Sequence, residues 1–262
     1  MPTQTHTEPA LQIPSDLQQQ YQNEGYFVLK GIVPEDHLEG MRNECQRFIE
    51  EKDAEMDAQG VTVLGINHKG SRYFLSNVSR QSETLRRFLF CEVMAEICKA
   101  TLGENAYLFL DQYVVKAAEK GMAFSWHQDS GYIPYEHTPY LTCWITLDDV
   151  NEDNGTVYLL PYSRQGTRNR VPHVRDETTN DMVGYFGDDP GDPIVCPAGS
   201  IACFSSTVFH RSGFNRTDRM RRVYLAQYSQ EVILNEANTA PLHQATQFLA
   251  GGKIVAQPSS QD

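Results

Sequence analysis

Ser125-Trp126-His127-Gln128-Asp129-Ser130-Gly131-Tyr132 is the stretch on which the reading of this 262-residue chain turns. His127 and Asp129 stand two residues apart. In a strand, alternate side chains share a face, so both can point into one cavity. One neutral imidazole and one carboxylate suit a borderline divalent metal. A second imidazole would complete a facial triad with open positions, the arrangement of non-haem Fe(II) sites. His210 is the candidate. It lies 83 residues further on, in Phe204-Ser205-Ser206-Thr207-Val208-Phe209-His210-Arg211-Ser212-Gly213, after a strand-like run and before a turn. That separation is enough to cross a small barrel and return. The His-x-Asp pattern alone recurs by chance, and the matched β context of His210 gives it weight.

Arg221 lies 11 residues beyond His210, at the head of Arg221-Arg222-Val223-Tyr224-Leu225-Ala226-Gln227-Tyr228. A hairpin returning through Asn215-Arg216-Thr217-Asp218 would bring it back beside His210. There its guanidinium could clamp a carboxylate with two parallel charge-assisted hydrogen bonds, a fork that lysine lacks. The competing reading is a surface arginine in a basic cluster with Arg216, Arg219 and Arg222.

Outward from these motifs, the chain divides by texture. Residues 1–14 are polar and are expected to form a disordered tail. A short helix is expected at Leu17–Tyr21 and a strand at Gly25–Leu29. Pro34 opens a helix with Glu35 and Asp36 in its first turn and Leu38, Met41, Cys45, Phe48 and Ile49 on one apolar face. Ala58–Ser79 reads as a polar, Gly-containing connection. Ser82 caps a helical stretch that runs to Gly103. Beyond it, short β-rich runs dominate: Tyr107–Val115, Tyr140–Leu147, Thr156–Leu160, Ile194–Val195, Ser200–Phe204 and Arg222–Tyr228. Early helices and many later strands predict an α+β protein with a mainly β sandwich or barrel core. Tyr162–Pro193 is too long and polar for an ordinary connection and is expected to act as an active-site lid. Residues 15–235 then form one domain. Residues 236–262 are peripheral, with Phe248 and Leu249 able to dock back.

Composition narrows the function. Basic residues number 22 and acidic residues 34, a formal net charge of −12. Such a field repels phosphate backbones and argues against nucleic-acid binding. No apolar run approaches the roughly 18 residues of a membrane span. The six cysteines form no CxxC pair and sit singly among apolar residues, as reduced core thiols do. A cytoplasmic protein, monomer or homodimer, is expected.

His127-Gln128-Asp129, then Asp153-Asn154-Gly155-Thr156-Val157-Tyr158-Leu159-Leu160-Pro161-Tyr162-Ser163, then His210-Arg211-Ser212-Gly213 through Arg221 together resemble the phytanoyl-CoA dioxygenase family. Gly25-Tyr26-Phe27-Val28 and the Pro34 helix are similar to that family's start. The resemblance runs from about Leu17 to Ser229. It implies a double-stranded β-helix, a jelly-roll or cupin-like barrel flanked by N-terminal helices. It implies Fe(II) held by His127, Asp129 and His210, with 2-oxoglutarate gripped at its far carboxylate by Arg221. Ser212 and Trp144 match family positions near the cosubstrate. Gln112 and Arg72 match groups lining that pocket, where a barrel polar contact and a surface salt bridge are equally good readings.

The implied reaction consumes O2 and 2-oxoglutarate, releases succinate and CO2, and hydroxylates an unactivated C–H bond of a small molecule. Asp129 argues against halogenation, since related halogenases carry a small residue at the carboxylate position. Phe124, Trp126, Tyr132 and Tyr135 could form a dry substrate pocket. Two other classes fit the barrel: a cupin-like metalloenzyme that does not use 2-oxoglutarate, favoured if Arg221 points away from the metal, and a catalytically silent binding barrel. His137 and His173 read as loop residues near the site. Arg164, Arg168, Arg170 and Arg175 hint at an anionic substrate group, or at a solvated lid face.

Overall fold

The computed structural model describes residues 12–119, 121–177 and 181–255. Residues 1–11 of the expected tail and 256–262 of the C-terminal segment lie outside them. Ile13 is buried against the main core, so the packed chain begins before residue 15. The first helix, Ser15–Glu24, ends at Gly25. That residue holds φ +80°, and its N–H donates to Tyr21 O at 2.8 Å. Left-handed backbone of this kind suits glycine, which has no Cβ to clash. Helix Glu35–Ala58 follows Pro34 and buries the five expected residues together with Met56. Ser82 caps as expected, its hydroxyl accepting from Leu85 N. The stretch after it is two helices, Glu83–Leu89 and Glu92–Thr101, and not one. The break turns Phe90 inward against Phe248, ring centroids 5.3 Å apart.

Two antiparallel sheets face each other as a jelly-roll barrel. The larger runs in the order Tyr26–Leu29, Ile201–Ser205, Leu141–Thr146, Arg221–Ser229, Ala106–Lys116, Arg72–Ser76, with the short strands Asn67–His68 and Val63–Leu64 beyond. The smaller runs Asp192–Pro193, Val157–Leu160, Phe209–Ser212, Phe124–His127. Period-two alternation sorts the larger sheet's side chains. Tyr73, Leu75, Tyr113, Val115, Tyr224 and Ala226 face outward, into the core shared with the helices. Arg72, Phe74, Ser76, Gln112, Val114, Lys116 and Leu225 face the barrel interior. Inside, Trp144, Val157, Leu159, Phe204, Val208 and Val223 pack between the sheets.

Several expectations change. The polar, Gly-containing stretch Ala58–Ser79 contributes the strand Arg72–Ser76, whose backbone is satisfied by pairing with Ala106–Lys116. The Ile194–Val195 strand moves to Asp192–Pro193. The Tyr162–Pro193 segment carries a short helix, Tyr162–Gln165, and a small hairpin of Val174–Arg175 with Met182–Val183. Three of its arginines fasten it down. Arg164 pairs with Asp189 and Asp192, Arg168 donates to Gln22 O and Asn23 O, and Arg170 lies 3.6 Å from Glu136. The C-terminal segment adds a strand, Thr246–Ala250, beside Ala106–Lys116, and Phe248 and Leu249 are buried. Buried Asp111 ties that segment in, accepting from Ser79 N and Oγ, Tyr224 Oη and Gln244 Nε2. The six cysteines are free thiols. Among the described residues, no helix is long and apolar enough to cross a membrane.

A Cβ on Gly25 would stand 2.5 Å from Val208 Cγ2 and 2.7 Å from the Tyr162 ring. Gly25→Ala therefore combines left-handed strain with overpacking and is expected to destabilise the fold by about 2–4 kcal/mol. A shift of the urea midpoint at unchanged slope measures it.

Candidate active site

The expected pair converges, by a different local path. Strand Phe124–His127 ends at His127, and Asp129 opens a 3-10 turn, Asp129–Tyr132. Gln128 between them keeps extended backbone, φ −105° and ψ 141°, so alternation survives the end of the strand. His210 lies directly opposite His127 across strands, with the two ring centroids 4.1 Å apart. His210 Nε2 and His127 Nε2 stand 3.5 and 3.9 Å from Asp129 Oδ1. One ligand atom from each of the three residues falls within 4.8 Å of the others.

Each donor is oriented by a second group. His127 Nδ1 meets Ser125 O at 2.7 Å, and His210 Nδ1 meets Val208 O at 3.1 Å. With the Nδ1 protons donated there, both Nε2 lone pairs are left for a cation. Asp129 Oδ2 accepts from Thr142 Oγ1 at 2.6 Å and Gln227 Nε2 at 3.0 Å, so Oδ1 turns to the histidines. Burial, with His210 beside it, pushes the His127 imidazole down to about 3. For Asp129, burial alone would raise the carboxyl. The His210 and His127 rings and the Thr142 hydrogen bond more than offset this and leave it at about 2. Near neutrality the pair presents an uncharged imidazole and a carboxylate, the forms that bind a divalent metal.

Arg221 reaches the same cavity, of about 530 Å3. It does not arrive as the return of a hairpin. Phe209–Ser212 belongs to the smaller sheet and Arg221–Ser229 to the larger, so the chain crosses between sheets and Arg221 meets the site from the opposite wall. It is buried, not part of a surface cluster. Nη2 donates to Gly155 O at 2.9 Å, while Nε and Nη1 find no hydrogen-bond partner among the described residues. Two buried nitrogens without hydrogen bonds on one guanidinium leave charged donors free for an incoming carboxylate. Burial lowers this group to about 10, against the pull of Asp148, so it stays cationic near neutrality.

Ser212, Trp144, Gln112 and Arg72 line the same cavity. Trp144 lies under Arg221, with Cζ 5.7 Å from its ring centroid. Gln112 donates to Ser76 Oγ at 2.6 Å. Arg72 is buried and donates Nε to Ile66 O; its Nη1 makes no hydrogen bond and only a long ion pair with Asp181 Oδ1, at 4.0 Å. Phe124 and Tyr132 line the cavity as expected. Trp126 and Tyr135 do not: Trp126 packs on Tyr185, and Tyr135 donates to Leu234 O.

Sequence reasoning missed Lys116, buried in the wall and donating to Ser212 Oγ at 2.8 Å. The alternation Gln112, Val114, Lys116 pointed to it, but the strand was drawn one residue short. His173 was also undervalued. Its Nε2 accepts from Gln128 N at 2.9 Å, and its ring lies where a Cβ on Gly131 or Gly184 would come within 2.4 Å. The Tyr162–Pro193 segment is thus strapped to the residue between two of the three donors.

Comparisons with known proteins agree with this geometry. The chain is 22% identical over 225 residues to the peroxisomal phytanoyl-CoA dioxygenase of Rattus norvegicus, covering 79% of this chain and 66% of the relative. It is 23% identical to the ectoine dioxygenase of Bordetella bronchiseptica, covering 88% of this chain and 82% of the relative. Aligned segments span just under two thirds of the length of the rat and mouse phytanoyl-CoA dioxygenases. Among solved structures, the non-heme alpha ketoglutarate dependent carbocyclase SnoK from nogalamycin biosynthesis superposes with TM-score 0.68 at 15% identity, covering 88% of this chain and 93% of that one. EctD from S. alaskensis, with 2-oxoglutarate and 5-hydroxyectoine, superposes with TM-score 0.63 at 19% identity, covering 89% and 83%. These likenesses establish the shared fold. The phytanoyl-CoA dioxygenase (PhyH) family model matches residues 21–223, which takes in all three convergent donors and Arg221, and the chain belongs to that family.

Proposed function

We propose that the protein is a non-haem Fe(II)/2-oxoglutarate-dependent dioxygenase that hydroxylates an unactivated C–H bond of a small molecule. The observation that carries this reading is the convergence of two imidazoles and a carboxylate in one cavity with a buried guanidinium whose Nε and Nη1 are unpaired. His127, Asp129 and His210 would hold Fe(II), and the open sites of such a triad suit a chelating cosubstrate and O2. Arg221, with Ser212 and Trp144 beside it, would hold the far carboxylate of 2-oxoglutarate. When bound, iron, 2-oxoglutarate and O2 supply the oxidation: R–H becomes R–OH as the cosubstrate is split to succinate and CO2.

The chain supplies position and dryness. Ser125 O and Val208 O fix the two rings, and Thr142 and Gln227 fix the carboxylate. Phe74, Phe109, Ile133 and Tyr140 give the cavity an apolar wall that excludes water from the metal. The alternatives lose ground on particular residues. A metalloenzyme without 2-oxoglutarate has no use for the buried, unbonded donors of Arg221. A silent barrel has no use for three oriented donors. Asp129 occupies the place where a halogenase needs room for chloride. The free thiols support a reducing compartment such as the cytoplasm, although several relatives are named peroxisomal.

Anaerobic addition of Fe(II) and 2-oxoglutarate is expected to give a visible metal-to-ligand charge-transfer band that His210→Ala abolishes. Iron binding without the band would leave the cupin-like alternative, and no iron binding at all would leave the silent barrel. Arg221→Lys keeps the charge but loses the fork. Its half-saturation for 2-oxoglutarate should rise about tenfold or more while Fe(II) affinity holds. Gln227→Leu frees Asp129 to rotate and should weaken Fe(II) affinity by roughly 10–100-fold without unfolding the protein, as read by metal titration beside circular dichroism.

A further inference from the structure

The cavity wall carries more positive charge than the proposed cofactors use. Arg72, Lys116 and Arg221 are directly opposite one another on three adjacent strands, with Arg72 and Arg221 each paired in register to Lys116. All three are buried and line the cavity. Directly opposed like charges on a sheet face repel, and a buried donor without a partner costs free energy, so such a ladder persists where an anion completes it. Burial and the two flanking guanidiniums hold the Lys116 amine well below its ordinary value. Arg175 and Arg211 also line the cavity, so four arginines face two carboxylates, Asp129 and Asp181. A divalent metal and a dicarboxylate cancel each other. The wall therefore stays positive with both aboard, in a chain whose overall charge is −12.

The two guanidiniums occupy different ends of the ladder. Arg221 sits over Trp144 against Gly155 O, at the end proposed to hold the cosubstrate. Arg72 sits at the lid side. Its Cζ is 5.4 Å from the Phe74 ring, Phe74 packs on Phe124, and Phe124 packs edge-on to His127 at 4.7 Å. Asp181, the carboxylate facing Arg72, accepts from Ser125 N and makes a long ion pair with Nη1 at 4.0 Å, which leaves Nη1 without a hydrogen bond. Phe74 and Phe124 give this end of the cavity an aromatic face.

Resting on the proposed Fe(II)/2-oxoglutarate chemistry, we infer that the oxidised substrate is a carboxylate on an apolar body, with its carboxylate docked on Arg72 at the lid side and its hydrocarbon against the aromatic wall. Arg72 is then a substrate-binding residue and not part of the cosubstrate site. The inference gives a use to a buried donor that has no hydrogen bond.

The probes are 3-phenylpropionate and its neutral amide, 3-phenylpropanamide. Each is titrated anaerobically into protein saturated with Fe(II) and 2-oxoglutarate and read by tryptophan fluorescence. The carboxylate should bind about tenfold or more tightly than the amide, with the charge-transfer band retained. Arg72→Gln should erase that preference while leaving the 2-oxoglutarate half-saturation within about twofold, whereas Arg221→Gln should do the reverse. Equal affinity for acid and amide, no binding of the acid at millimolar concentration, or bleaching of the band as the acid binds would each overturn the inference. A rise in 2-oxoglutarate half-saturation in Arg72→Gln would also overturn it by assigning Arg72 to the cosubstrate. If wild type gives no band, the oxygenase reading fails on its own. The acid-against-amide comparison in wild type and Arg72→Gln, read by fluorescence without metal, then decides the carboxylate site separately.

Discussion

His127 and His210 are opposite partners on neighbouring antiparallel strands of the smaller sheet. That cross-strand pairing is the constraint on which the site depends. Opposed residues share a face, and their Cβ atoms are held about 5 Å apart by the backbone ladder. Two imidazoles separated by 83 residues of chain are thereby delivered to one point without any flexible element. A slip of one residue in that register would turn His210 out of the cavity. Asp129 needs no strand of its own, because one extended residue, Gln128, returns it to the same side.

The opposite wall belongs to the larger sheet, and its role is electrostatic. Its outward side chains are aromatic and aliphatic and fix the sheet against the helices. Its inward side chains include the buried cations. Burial desolvates each of them, which costs more than a surface charge would. Burial also makes each unpaired N–H a strong partner for an anion brought into the barrel. The rigid outer core holds these donors in place before any ligand arrives. The three convergent side chains are prepared in the same way: each imidazole is turned by a carbonyl two residues before it, and the carboxylate by Thr142 and Gln227.

The Tyr162–Pro193 segment is coupled to the turn that carries His127 and Asp129. Gln128 Nε2 donates to Asn169 O and Thr207 O, its Oε1 accepts from Val171 N, and its own N–H is taken by His173. The side chain between His127 and Asp129 therefore points away from the cavity and serves as the attachment of the segment above it. Gly131 and Gly184 give the His173 ring the space it occupies.

Much of this was written in local sequence. The Pro34 helix, the Ser82 cap and most strands are legible because apolar period and capping chemistry act over a few residues. The pair His127 and Asp129 is legible because i and i+2 share a side wherever the backbone is extended, and His210 and Arg221 because the joint pattern resembles a known family. What the sequence left open depends on partners far along the chain. It did not place strand Arg72–Ser76, whose pairing is with Ala106–Lys116. Nor did it show that Arg221 approaches from the opposing sheet, that Phe248 closes the core, or that Lys116 and Arg72 flank one another. Local propensity fixes which residues are extended and which face they share. Only closure of the barrel decides which faces meet, because that depends on long-range register and on the burial that register creates.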